Sequence, residues 1–138
     1  MVDHRGSHAV YPGTFDPFTA GHRDVVDRVR RLFDRVTVLV AINSAKQPTA
    51  ALDQRVTAIR ASLPAGWGNV RVVGWAGLTA TYCRENRAGV IVRGVRNPTD
   101  LVYESQLSAV NETLGITTLL LPARPELAGV SSTVVRGA

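Results

Sequence analysis

A chain of 138 residues, 45% hydrophobic and 20% charged, has the size and composition of one globular domain (1–138), and no apolar run approaches the roughly 20 residues of a membrane span. The start, MVDHRGSH, lacks the apolar core of a signal peptide, and the single cysteine, Cys83, has no disulfide partner and no metal-ligand partner at a recognisable spacing, so a cytoplasmic setting is expected. The formal net charge of +5 points weakly to nucleic acid and better to a small polyanion such as a nucleoside triphosphate: Arg23, Arg28, Arg30, Arg31 and Arg35 are interleaved with Asp24, Asp27 and Asp34 as on a solvated helix face, without a basic block carrying aromatics.

Residues 9–11 are apolar enough for a buried strand, which the Pro12-Gly13 pair is expected to end in a turn. Asp16-Pro17 blocks a helix before Thr19. From Gly21 onward Val25, Val26, Val29, Leu32 and Phe33 recur at helical spacing, which puts His22 in a first turn. Residues 36–42 (VTVLVAI) form a continuous apolar run of the kind buried on both faces of a parallel sheet. A helix over 52–63, a strand over 70–73, a helix over 78–86 and a strand over 90–93 follow. A longer helix over 98–114, with Pro98 at its start and Gly115 after its end, precedes a fifth strand over 117–121. The alternation predicts a Rossmann-like, doubly wound α/β fold: a five-stranded parallel sheet with helices on both faces.

Ligands of such sheets sit at the carboxyl ends of the strands. That edge collects residues 13–22, the polar loop 43–46, Leu78 and Thr79, and a loop of residues 93–96. All but one of the 16 basic residues are arginine, and the exception, Lys46, falls on this edge with His22, Arg93 and Arg96. A helix start offers unpaired N–H groups and a positive dipole end, with Thr14 and Thr19 adding hydroxyls and backbone donors, so an anion site is expected. A histidine there can bond a phosphate oxygen without a large pKa shift.

The string YPGTFDPFTAGH, residues 11–22, resembles the signature of the nucleotidyltransferase superfamily with the [HT]xGH motif, and most closely the phosphopantetheine adenylyltransferase family. That family transfers the AMP of ATP onto 4′-phosphopantetheine, giving dephospho-coenzyme A and pyrophosphate. VRGVR (92–96), DLVYE (100–104) and GVSSTVVR (129–136), the last similar to the family's ISSS or ISST, extend the likeness over nearly the whole chain. The resemblance implies His22 as the catalytic residue on the pentacovalent α-phosphate, with Thr14 touching both substrates. Lys46, Thr79 and Arg93 would bind the acceptor. Phe15, Gly94, Val95, Arg96, Glu104, Gly129, Val130, Ser131, Ser132 and Thr133 would face ATP. Magnesium (Mg2+) would bridge the phosphates, mostly through water and substrate oxygens. A homo-oligomer, a hexamer in the family, is implied, with no nucleic-acid or membrane partner.

On residue type alone, Glu104 reads as a helix-surface carboxylate, Thr79 as a local helix cap and the serines as caps. Three departures from the family pattern stand out. The chain stops at Ala138 where the family continues through further helices, so its closing helix and hexamer contacts are expected to be missing. PARPELAG lacks the family's aromatic residues, and DLVYE stands for DFxYE. A relative acting on another phosphorylated acceptor or nucleotide, and a non-catalytic nucleotide-binding protein, remain alternatives.

Overall fold

The computed structural model describes residues 6–42 and 51–128. The elements run β1 (His8–Gly13), α1 (Ala20–Val29), β2 (Arg35–Ala41), α2 (Leu52–Ser62), β3 (Val70–Trp75), α3 (Thr79–Glu85), β4 (Val90–Val95), α4 (Pro98–Thr113), β5 (Thr117–Pro122) and α5 (Pro125–Ala128). The strands form one five-stranded sheet in the order β3-β2-β1-β4-β5, and each pairing is parallel. This is the expected Rossmann-like α/β fold. Successive strand residues face opposite sides of the sheet. Ala9, Tyr11, Val36, Val38 and Val40 therefore join Val25, Val26 and Val29 of α1 and Val56 and Ile59 of α2 in one core. Val10, Leu39 and Ile91 join Ala80, Tyr82 and Cys83 of α3 in the other. Burial pushes the Cys83 thiol up to about 11, consistent with a core role.

Several boundaries differ from the sequence expectation. β1 runs through Pro12-Gly13 rather than ending there, because β2 stays in register beside it as far as Gly13↔Val40. β4 likewise continues to Val95, paired with Pro122, so Arg93, Gly94 and Val95 lie on a strand and not in a loop. α1 stops at Val29, four residues before Phe33. Val29 O accepts from the N–H groups of Leu32 at 2.9 Å and Phe33 at 3.3 Å, and the carbonyls that follow the helix are taken by a side chain: Asn69 Nδ2 donates to Arg30 O at 2.8 Å and to Phe33 O at 3.1 Å. No described helix is long and apolar enough to cross a membrane.

The sheet splits at one place. β1 pairs with β2 over six residues, but with β4 only at Ala9↔Val90 and Val10↔Ile91. Beyond these pairs the carboxyl halves of β1 and β4 part. Strand order also reverses direction here, which is the switch point at which open α/β sheets hold ligands.

At the opposite end of β1, His8 is buried. Its Nδ1–H donates to Asn86 O at 3.0 Å, and its Nε2 accepts from Thr37 Oγ1 at 2.7 Å. Burial lowers its pKa from 6.5, opposed by the bond to Asn86 and assisted by Arg35 and Arg71. Its contribution to stability is therefore complete above 6.5 and is lost as pH falls, because the unfolded chain takes up the proton first. Urea titrations should show stability declining below pH 6.5. His8→Gln should be less stable at neutral pH and show a shallower acid-side decline. An equal slope in both proteins would show that His8 does not titrate on unfolding.

Candidate active site

A cleft of about 590 Å³ opens where β1 and β4 part. One wall is Tyr11 to Phe15 with Thr19, Gly21, His22, Asp24 and Val25; the other is Arg93 to Arg96 with Asp100, Tyr103 and Glu104. Ala123 and Leu127 close it from the C-terminal side.

His22 is the third residue of α1. Its backbone N–H donates to Thr19 Oγ1 at 3.2 Å while its Nδ1 accepts the Thr19 N–H at 3.0 Å, a capping box with histidine in the usual Glu or Gln position. Thr19's backbone donor is thus turned to His22 and is not available to an anion. The Ala20 and Gly21 N–H groups have no helical acceptor four residues back. Burial, Arg96 and Arg93 together bring the His22 pKa down from 6.5 to about 4, a large shift although a hydrogen bond to phosphate does not require one. A neutral imidazole that accepts at Nδ1 carries its proton on Nε2. His22 is therefore a fixed hydrogen-bond donor near neutral pH.

Aromatic rings hold that orientation. His22 lies 5.0 Å from Phe15, 5.6 Å from Phe18 and 6.4 Å from Tyr11, centroid to centroid. Phe15 has φ 51, in the left-handed region. Its ring folds back over Gly13, where a Cβ would come within 2.7 Å of a ring carbon. Glycine at 13 lets the ring lie against the strand.

Arg93 reaches across the split. Its Nη1 donates to Pro12 O and its Nε to Glu104 Oε2, each at 2.5 Å. Glu104 is only 3% exposed, so it is not the surface carboxylate that residue type alone predicts. Its Oε1 is buried without a hydrogen-bond partner. Gly94 brings β4 close to α1: a Cβ there would meet Val25 Cγ2 at 3.4 Å. Arg96 bonds Asp100 Oδ2 through its backbone N at 3.1 Å and its Nε at 3.0 Å. Asp24 pairs with Arg28 at 3.3 Å and with Arg124 at 2.8 Å, and Arg28 also donates to Pro122 O.

The structure thus brings Thr14, Phe15, His22, Arg93, Gly94, Val95, Arg96 and Glu104 to one cleft. Thr79 begins α3 after β3 and does not line it; the N-cap of that helix is Leu78, so Thr79 is not the cap. Lys46, Gly129, Val130, Ser131, Ser132 and Thr133 lie outside the described residues. Sequence reasoning missed the lining residues Asp24, Asp100 and Tyr103, and it gave Tyr11 and Phe18 no part in holding His22. Tyr11 and Phe18 stand inside the first motif, and their spacing from His22 was the available signal.

The cytidylyltransferase-like family model matches residues 10–138. The phosphopantetheine adenylyltransferase of Thioalkalivibrio sulfidiphilus is 52% identical over 93% of this chain and 81% of its own length. That of Haemophilus influenzae is 43% identical over 92% of this chain and 82% of its own. The chain belongs to the phosphopantetheine adenylyltransferase family. The fold has a further likeness in the crystal structure of a proposed nicotinate-nucleotide adenylyltransferase from Vibrio parahaemolyticus. There the TM-score is 0.67 at 20% identity, over 96% of this chain and 79% of the other.

Glu104→Ala strands Arg93 beside the split. Stability should fall by roughly 2–3 kcal/mol, at or below the low end for breaking a buried ion pair because Arg93 keeps contact with solvent. Chemical denaturation reads this directly, and an unchanged midpoint and slope would mean that the pair does not anchor the two strands.

Proposed function

We propose that this protein transfers the adenylyl group of ATP to 4′-phosphopantetheine, giving dephospho-coenzyme A and pyrophosphate. The observation that carries the reading is the neutral His22, locked by Thr19 with Nε2–H as donor, in a cleft shared with Arg93 and Arg96. The names of the relatives supply the substrates.

The chemistry asks little of the protein beyond placement and charge. A phosphate oxygen of the acceptor attacks the α-phosphorus of ATP, the bond from that phosphorus to the oxygen bridging to the β-phosphorus breaks, and pyrophosphate leaves with the electron pair. The acceptor phosphate is already ionised near neutral pH, so no general base is needed. His22 donates to the α-phosphate as negative charge builds on its oxygens, and Arg93 and Arg96 neutralise charge along the cleft. Arg93 is held at two of its nitrogens, so its fork meets phosphate oxygens in a fixed direction. Thr14 and Phe15 form the turn beneath His22, Gly94 and Val95 let the nucleotide approach β4, and Glu104 orients Arg93. Lys46 and Thr79 are assigned to the acceptor, and Gly129, Val130, Ser131, Ser132 and Thr133 to the nucleotide, on the strength of the family motifs.

Magnesium fits as an ion carried by the nucleotide. Asp24, Asp100 and Glu104 each have an arginine partner, and among the described residues no group of three His, Cys, Asp or Glu could hold a metal. Phosphate oxygens and water would be its ligands, and it would lower the charge of the leaving pyrophosphate. The setting is cytoplasmic in this reading.

A homo-oligomer belongs to the same proposal. Of the 16 residues of α4 only Glu104 is buried, while Tyr103, Leu107, Val110 and Leu114 follow one another at helical spacing and are exposed. Exposed apolar faces mark contact surfaces, and in this reading a second copy of the chain covers this one. Light scattering should report an oligomer that Leu107→Glu with Val110→Glu converts to monomer. A monomeric parent protein would refute it.

Purified protein incubated with ATP, magnesium and 4′-phosphopantetheine should yield dephospho-coenzyme A by mass spectrometry. His22→Ala should lower kcat by on the order of 10²–10³-fold, the scale for removing one preorganised donor. The His22 titration itself should leave activity unchanged from neutral pH down towards 4, near its pKa. An acid limb near 6.5 that disappears in His22→Ala would overturn the assignment of a neutral donor.

A further inference from the structure

The wall that carries Thr14 and Phe15 is braced from behind by a residue outside every motif. Arg55, in the first turn of α2, is 4% exposed. Its Nη1 donates to Thr14 O at 2.7 Å and to Ala41 O at 3.1 Å. These carbonyls belong to the turn after β1 and the last residue of β2. One guanidinium nitrogen therefore fixes the separation of two adjacent strand ends on the ligand edge of the sheet. We propose that Arg55 is a positioning residue for the adenylyl transfer, acting on His22 through the Thr14-Phe15 turn; this rests on the reading in the preceding subsection.

The chain of contacts is short. Thr14 O is held by Arg55. The next residue, Phe15, occupies the left-handed region at φ 51 and has its ring packed over Gly13. That ring stands 5.0 Å from the imidazole of His22, nearly perpendicular to it at 80°. A turn with a non-glycine residue at positive φ persists only where its surroundings over-determine it. Arg55 is a buried, charge-assisted part of those surroundings. A lysine retains the charge, but its ammonium is tetrahedral and turns on a flexible stem, whereas the two N–H bonds of Nη1 lie in the fixed guanidinium plane, one towards each carbonyl. The two carbonyls would then separate and the Phe15 ring would lose its seat against His22.

The test compares the unaltered protein with Arg55→Lys and, should that variant fold poorly, Arg55→Gln. The melting temperature, kcat and KM for both substrates, and the imidazole 15N signals of His22 are read in each. Wild type should give the neutral, Nε2-protonated pattern. Arg55→Lys should keep its melting temperature within a few degrees, lose on the order of 10²-fold in kcat, the scale for about 1 Å of misplacement, and change KM little. Its His22 signals should move toward a mixture of tautomers. Wild-type kcat in Arg55→Lys would overturn the proposal, since charge alone would then suffice. A fall in kcat with unchanged His22 signals would also overturn it, because the effect would not pass through His22. A wild type that turns over neither substrate would remove the adenylyl-transfer reading, whereas the imidazole signals would still decide whether Arg55 holds His22.

Discussion

The site depends on a sheet that stops pairing. β1 and β4 are bonded at Ala9 and Val10 and then separate, while their outer neighbours stay in register to the strand ends. A buried split exposes backbone groups that the ladder would otherwise satisfy, and such groups must find partners. Arg93 supplies one by donating across the gap to Pro12 O, and Glu104 beneath it balances the charge. The cleft is therefore an opening whose edges are pinned by side chains.

The same constraint explains the electrostatics. A polyanion site needs cations that do not have to reorganise when the ligand arrives. Each arginine that lines the cleft is tied to an acceptor, Arg93 to Glu104 and Pro12 O and Arg96 to Asp100, and the lining Asp24 is itself paired with Arg124. The carboxylates that line the cleft thus orient cations. The cations in turn help to keep His22 neutral, and neutrality gives it a fixed tautomer. An imidazolium would donate from both nitrogens and could not accept the Thr19 N–H at Nδ1.

What the sequence disclosed was local. The apolar run of β2, the Pro98 start of α4 and the place of His22 in a first turn follow from composition and spacing over a few residues, and they hold in the structure. The strand ends did not follow. Pro12 and Gly13 are turn residues by type and strand residues by virtue of β2 alongside. The turn after α1 is held by Asn69, 39 residues from Arg30, which bonds the Arg30 and Phe33 carbonyls. Glu104 looks like a surface residue on a helix whose other side chains are mostly exposed, and only Arg93 on another strand explains its burial. Arg55 is the clearest case. It lies in a helix without a recognised motif, and the Thr14 and Ala41 acceptors it reaches are backbone carbonyls, which have no residue identity for a pattern to detect. The combining of residues 13–22 with 93–96 was legible because strand alternation fixes which ends share an edge.

α4 links the cleft to the outside of the molecule. Glu104 and Tyr103 are neighbours in sequence: one is buried under Arg93, the other 59% exposed at the rim of the cleft. Leu107 and Val110 continue the exposed side of the helix. Among the described elements, α4 packs chiefly against β4 and β5. A displacement of α4 would move Glu104 and with it the guanidinium that spans the split. Because Arg93 also contributes to the low pKa of His22, such a movement would reach the histidine electrostatically without touching it. Whatever covers α4 thus bears on the geometry of the cleft, and the burial of a single carboxylate on that helix is the point of contact.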